Sequence, residues 1–169
     1  MHQIHNNKND YAWQIRGKGG TRHVLSNTGR RRLNIIGALN PVTLIPTIFL
    51  TEANCDKELV QIFFGEIRKE YPDREKAVHL FLDNAGYNRS YEVKSKAEEL
   101  NIKLHYLPPY SPNLNLIERL WKYCKKNLVK NRYYPSFDDF FQANLDFFGG
   151  IEDHIRGLQS LLTLNFQII

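Results

Sequence analysis

Asp83 and Glu118 are the residues of this chain whose type and placement could do chemistry. Asp83 closes the apolar run 77–82 and is followed by Asn84, Ala85 and Gly86. Glu118 sits in Pro109-Tyr110-Ser111-Pro112-Asn113-Leu114-Asn115-Leu116-Ile117-Glu118-Arg119-Leu120-Trp121, where apolar residues begin to recur at helical spacing. Two carboxylates delivered to one place hold a hard divalent cation, as phosphodiester chemistry with metal ions requires. Each has a plainer reading. Asp83 could bond its own backbone in a turn, and Asn115 with Glu118 three residues on has the form of a helix cap. Residues 84–117 lie between the two, enough for a helix, a strand and a rigid turn that return the second carboxylate to the first.

The elements that must do this positioning follow from periodicity. Tyr11, Trp13 and Ile15 alternate with polar residues, Gly17-Lys18-Gly19-Gly20 reads as a turn, and residues 21–25 read as a second strand. Residues 33–39 form a further strand, paired across Asn40-Pro41 with residues 43–50, where Pro46 demands a sheet edge. Val60, Phe63, Phe64, Ile67 and Tyr71 recur at three- and four-residue steps, and Pro72 ends that helix. The run 77–82 has the length and apolarity of a strand covered on both faces. A helix through Val93, Ala97 and Leu100, a strand through Ile102, Leu104 and Tyr106 and a helix with Ile117, Leu120, Trp121, Cys124 and Leu128 buried come next. The last predicted helix spans 136–148, opened by a Ser136 to Asp139 cap, with Phe137, Phe140, Phe141, Leu145 and Phe148 on its inner face. This order predicts an α/β fold, a mixed sheet flanked by helices, over 1–150, with Gly149-Gly150 separating a tail of 151–169.

Charge is segregated along the chain. Residues 1–32 carry seven bases and one acid, 33–118 nine bases and twelve acids, 119–132 six bases and no acid, and 133–169 one base and five acids. Two basic blocks, with Arg30, Arg31 and Arg32 in the first and Lys122, Lys125 and Lys126 in the second, flank the acidic middle that holds Asp83 and Glu118. That distribution suits a protein that grips a polyanion around a cation-binding centre. At 169 residues and 42% hydrophobic, the chain has enough apolar content for one real core. No apolar run reaches the roughly 20 residues of a membrane span and no signal peptide is visible, so a cytoplasmic protein is expected. Cys55 and Cys124 are far apart in sequence and are expected to be reduced.

At these motifs the sequence resembles the DDE transposases of the mariner superfamily, in their bacterial insertion-sequence branch. Leu82-Asp83-Asn84-Ala85 looks like the second-aspartate motif, and Pro109-Tyr110-Ser111-Pro112-x-Leu114-Asn115-x-Ile117-Glu118-x-x-Trp121 looks like the glutamate motif. Further similarity covers Tyr11-Ala12-Trp13, the stretch from Thr28 through Leu39, and Ser160-Leu161-Leu162-Thr163-x-Asn165-Phe166. The resemblance implies a ribonuclease H-like fold, a Mg²⁺-dependent (or Mn²⁺-dependent) cut at transposon ends, and attack of the freed 3′-hydroxyl on target DNA. It implies Asp83 and Glu118 as catalytic metal ligands, Asn84, Tyr110 and Ser111 as supporting residues, and DNA as the partner of the basic blocks.

The resemblance also implies an absence. The family's first catalytic aspartate, at the end of a mid-sheet opening strand, would fall before Met1, and Asp10 does not match its position. The chain is therefore expected to lack that central strand, to leave unpaired backbone on both neighbouring strands, and to be inactive alone. Two functional classes follow: a catalytic portion whose missing front is supplied by an upstream-frame transposase segment, or a non-catalytic remnant that binds DNA or the full-length transposase, or does nothing. Self-association is open. His2 and His5 are expected to belong to a frayed, exposed terminus.

Overall fold

The computed structural model describes residues 2–5, 31–109, 114–130 and 132–163. The strands expected over 11–15 and 21–25 lie outside the described residues. Strand β1 (His2–His5) runs antiparallel to β2 (Arg32–Leu39), which runs antiparallel to β3 (Pro46–Thr51). Helix α1 (Lys57–Glu70) leads to β4 (Val78–Leu82), and α2 (Tyr91–Glu99) leads to β5 (Ile102–Tyr106), which lies parallel to β4. Helices α3 (Leu116–Leu128), α4 (Phe137–Gly149) and α5 (Ile155–Leu161) complete the chain.

The strands form two separate sheets, ordered β1-β2-β3 and β4-β5. Alternation along β2 explains how helices cover both of its faces. Leu33 and Ile35 enter a core with Leu120, Trp121 and Cys124 of α3 and with Phe140 and Leu158 of α4 and α5. Ile36 points the other way, into a core built by Val60, Phe63, Phe64 and Ile67 of α1 and by Val93 and Ala97 of α2. Val78, Leu80, Ile102 and Leu104 of the second sheet pack on that same core. One helical layer therefore carries both sheets. Gly37 is required at its crossing: a Cβ there would lie 2.7 Å from Ile48 Cδ1 and 2.8 Å from Trp121 Cη2.

The helix ends follow the sequence signals. Asp56 caps α1 by accepting the N–H groups of Glu58 and Leu59 at 3.0 and 2.9 Å. Ser136 and Asp139 form the expected capping box at α4. Buried Arg68 donates to the carbonyls of Leu100, Tyr71, Asp73, Lys76 and Asn101, tying the end of α1 to the loop before β4 and to the turn before β5. Five carbonyl acceptors replace the water that a buried guanidinium would otherwise lose.

Four expectations need correction. Residues 2–5 are not frayed, because they pair with Arg32–Ile35 as a strand. Strand β4 is covered on one face only: Leu80 packs on α1 and α2, whereas Phe81 on the opposite face is 64% exposed and stacks on His105. The inner face of α4 is rotated, since Phe137, Phe140, Asn144 and Phe147 are buried and Leu145 is exposed. Residues 151–162 are not separate from the domain as the expected boundary at Gly149-Gly150 had it, because Ile151, Leu158 and Leu162 belong to the same core as α3 and α4. Cys55 and Cys124 are both free thiols, as expected. Among the described residues no helix is long and apolar enough to cross a membrane.

Candidate metal centre and nucleic-acid interface

Asp83 is the first residue after β4 and is exposed. Its Oδ1 accepts two hydrogen bonds, from the Ala85 N–H at 3.1 Å and from the Asn88 side-chain amide at 3.0 Å. The first is the turn bond its sequence suggested. The second comes from a buried asparagine in the 3-10 turn Gly86–Arg89, whose carbonyl in turn accepts the Tyr106 hydroxyl at 2.8 Å. These contacts fix one oxygen of the carboxylate and leave Oδ2 without a described partner.

Glu118 stands in the first turn of α3, with its N–H donating to the Asn115 carbonyl at 3.1 Å. Asn115 is the N-cap residue, yet its side chain makes no capping hydrogen bond, so the reciprocal cap is not formed. Among the described residues the Glu118 carboxylate makes no hydrogen bond or ion pair, leaving both oxygens available to a ligand. Asp83 and residues Leu114 to Ile117 line one cleft, so the end of β4 and the start of α3 meet at the same opening. Carboxylate oxygens are the donors a hard divalent cation takes; Asp83 lines the cleft, with His79 also on its wall, and Glu118 follows the lining residue Ile117. Among the described residues no group of three His, Cys, Asp or Glu side chains is poised for a metal.

Asn84 works within the fold. Its amide donates to the Leu107 carbonyl and its oxygen accepts from Arg89, joining the ends of β4 and β5. Arg89 also lies over the Tyr106 ring, 4.8 Å from its centroid. Tyr110, Ser111 and Arg30 lie outside the described residues.

The basic blocks divide into engaged and open charges. Arg31 makes a two-pronged pair with Glu52 at 2.6 and 2.9 Å, a second pair with Asp138 at 3.2 Å, and a contact 4.0 Å above the Phe137 ring. Its guanidinium is held more firmly protonated by the Glu52 hydrogen bond first, and the Glu52 carboxyl is correspondingly pulled below its ordinary range. Arg32 donates to Asn54 Oδ1 at 2.9 Å, and Arg119 to the carbonyls of Leu161 and Thr163. By contrast Lys122, Lys125 and Lys126 are exposed on α3 and form no ion pair among the described residues. They follow Glu118 at steps of four, seven and eight residues, which puts all four on one side of the helix. Sequence reasoning missed Asn88, since its hold on Asp83 depends on a 3-10 turn that no apolar period announces.

The family described as DDE superfamily endonuclease matches residues 2–141. The uncharacterized protein y4pE/y4sA of Sinorhizobium fredii (strain NBRC 101917 / NGR234) is 38% identical over 85 residues, covering 50% of this chain and 60% of that protein. The match thus spans less than two thirds of that relative's length. Among solved structures, the Mos1 mariner paired end complex with Mn has a TM-score of 0.70 at 17% identity, covering 95% of this chain and 50% of that one. The Mos1 transposase paired-end complex with left transposon end gives 0.68 at 17% identity with the same coverage. The catalytic domain of Mos1 mariner transposase gives 0.59 at 18% identity, over 78% of this chain and 70% of that one. At these identities the likeness is one of fold, and it makes the mixed α/β architecture ribonuclease H-like.

Proposed function

Because the chain belongs to the DDE superfamily endonuclease family, we propose that it is the catalytic-domain portion of an insertion-sequence transposase, built for metal-dependent DNA cleavage and strand transfer. The observation that carries this reading is the cleft that Asp83 shares with Leu116 and Ile117 of α3, the residues directly before Glu118, whose carboxylate is unpartnered among the described residues. In this reading Asp83 and Glu118 hold Mg²⁺ or Mn²⁺, the latter being the ion named with one of the Mos1 complexes. When bound, such an ion activates a water or hydroxyl nucleophile and neutralises charge on the leaving oxygen. Asn88 and the Ala85 N–H orient Asp83 by fixing Oδ1, and Oδ2 has no partner among the described residues. Lys122, Lys125 and Lys126 bind phosphates of the DNA strand on the same side of α3 as Glu118, without reading sequence. Arg31 is a poorer DNA ligand than its sequence position suggested, since Glu52 and Asp138 already neutralise it.

Mn²⁺ titration of the purified chain, followed by electron paramagnetic resonance, tests the metal ligands. Asp83→Asn and Glu118→Gln are each expected to weaken binding, and unchanged binding in both variants removes the reading. A second reading, a non-catalytic fragment that binds DNA or a full-length transposase, is favoured by the lack of a third ligating side chain among the described residues. Salt-sensitive DNA binding without Mn²⁺-dependent nicking of supercoiled plasmid selects it. Nicking that Asp83→Ala abolishes selects the catalytic reading for the isolated chain.

A further inference from the structure

Arg89 closes the 3-10 turn that carries Asn88, so its backbone is joined directly to the residue whose amide holds Asp83 Oδ1 at 3.0 Å. Its side chain returns to the same place by a second route, donating to Asn84 Oδ1, and Asn84 directly follows Asp83. Tyr106 closes the circuit: its ring lies 4.8 Å from the Arg89 guanidinium, and its hydroxyl donates to the Asn88 carbonyl at 2.8 Å. An exposed guanidinium is thus fixed against residue 84, one position from the Asp83 carboxylate.

Both of its partners are neutral. An amide oxygen and an aromatic face hold the group in place without cancelling its charge, and among the described residues Arg89 forms no ion pair. Arg68 shows what bracing alone looks like in this fold, since it is buried and spends its donors on five carbonyls. Arg31 shows the other ordinary fate, neutralised by Glu52 and Asp138. Arg89 follows neither pattern. Holding a long side chain in one rotamer before a ligand arrives removes part of the entropy that binding would otherwise cost. A planar fork of N–H groups fits the oxygens of a phosphate, and phosphate is the anion that the proposed reaction brings to Asp83. We propose that Arg89 is a phosphate-binding residue: it grips the DNA backbone phosphate adjoining the metal centre and so sets which phosphodiester reaches Asp83 and Glu118. This rests on the metal-dependent reading of the site and extends it from the cation to the strand.

The test uses the whole chain, Mn²⁺, and a short fluorescein-labelled duplex of arbitrary sequence titrated in monovalent salt. Arg89→Gln removes the charge, Arg89→Lys keeps the charge and loses the fork, and Arg74→Gln alters an exposed arginine at the opposite end of β4. Arg89→Gln is expected to weaken DNA binding about tenfold and to lower the magnitude of the log K against log salt slope by roughly 0.9, with Mn²⁺ affinity in the absence of DNA unchanged. Arg89→Lys is expected to keep the wild-type slope and still bind DNA more weakly than the wild type. Arg74→Gln should change neither quantity. A slope unaltered by Arg89→Gln, an equal loss with Arg74→Gln, or full affinity in Arg89→Lys overturns the proposal. So does a fall in Mn²⁺ affinity without DNA in both Arg89 variants, which would make Arg89 a brace for Asp83. The metal reading fails separately: a wild-type chain that takes up no Mn²⁺, yet loses slope with Arg89→Gln, keeps the phosphate contact and loses the cation.

Discussion

The Asp83 carboxylate shows how much a single neighbour decides. Removing the Asn88 amide leaves Oδ1 held by the Ala85 N–H alone, so Asn88→Ala should weaken Mn²⁺ binding by about 10- to 100-fold, measured by Mn²⁺ titration, with the near-ultraviolet circular dichroism of the fold retained. Asp83 and Glu118 themselves were legible in the sequence, because each sits at the predicted end of an element and the interval between them suits a return. The Asn88 contact and the Arg31 ion pairs were not legible, since both depend on where turns bring residues that carry no periodic signal; Asp138 lies more than a hundred positions beyond Arg31. Burial also sets a pH limit at this scale. Desolvation pushes the Cys124 thiol up to about 12 and the Tyr87 hydroxyl up to about 12, above their ordinary values of 9.0 and 10.0. A raised folded value means that the folded state keeps protons the unfolded chain has released, so stability is full below about pH 9 and is lost as pH rises towards 12. Urea unfolding across that range should show the decline, and Cys124→Ala should flatten its thiol share while lowering stability at neutral pH through the cavity it leaves.

Helices and strands were the most readable level, and their errors have physical causes. The end of α1 was marked by Pro72, and the capping box of α4 was visible as Ser136 with Asp139. The rotation of α4 was not, because phenylalanines occupy several of its faces and the apolar pattern therefore fails to single out one. The exposed face of β4 was hidden for a similar reason: Phe81 reads as apolar wherever it points, and only the packing of α1 and α2 on the other side decides. Close packing between elements gives a sharp expectation at Gly37, where β2, Ile48 and Trp121 converge. Gly37→Ala must push Ile48 and the indole aside, and is expected to cost about 1–3 kcal/mol, measured by chemical denaturation. An unchanged midpoint would show that the neighbours yield freely.

At the scale of the whole molecule, charge and sheet continuity dominate. The open lysines of α3 predict a DNA affinity that falls steeply with salt. Replacing Lys122, Lys125 and Lys126 with alanine should reduce the magnitude of the log K against log salt slope by roughly 2.7, uniformly across duplex sequences, as read by fluorescence anisotropy. A slope unchanged by the triple substitution would move the DNA contact elsewhere. The division into an acidic centre and basic flanks was visible in the sequence, whereas the internal neutralisation of the first flank required the fold.

The interruption between β2 and β4 has a thermodynamic consequence. Strands β2 and β3 with α3, α4 and α5 share one apolar core, while among the described residues β4 and β5 with α2 share another with α1 and with Ile36, Ala38 and Phe49 of the first sheet. Among the described residues no ladder of hydrogen bonds joins the two sheets, so the two halves should behave as separate cooperative units. Native-state exchange should sort the slow amides into two classes with distinct opening free energies, and the calorimetric enthalpy of melting should exceed the van't Hoff value. A single class with equal enthalpies would mean that helix α1 alone is enough to make the molecule melt as one.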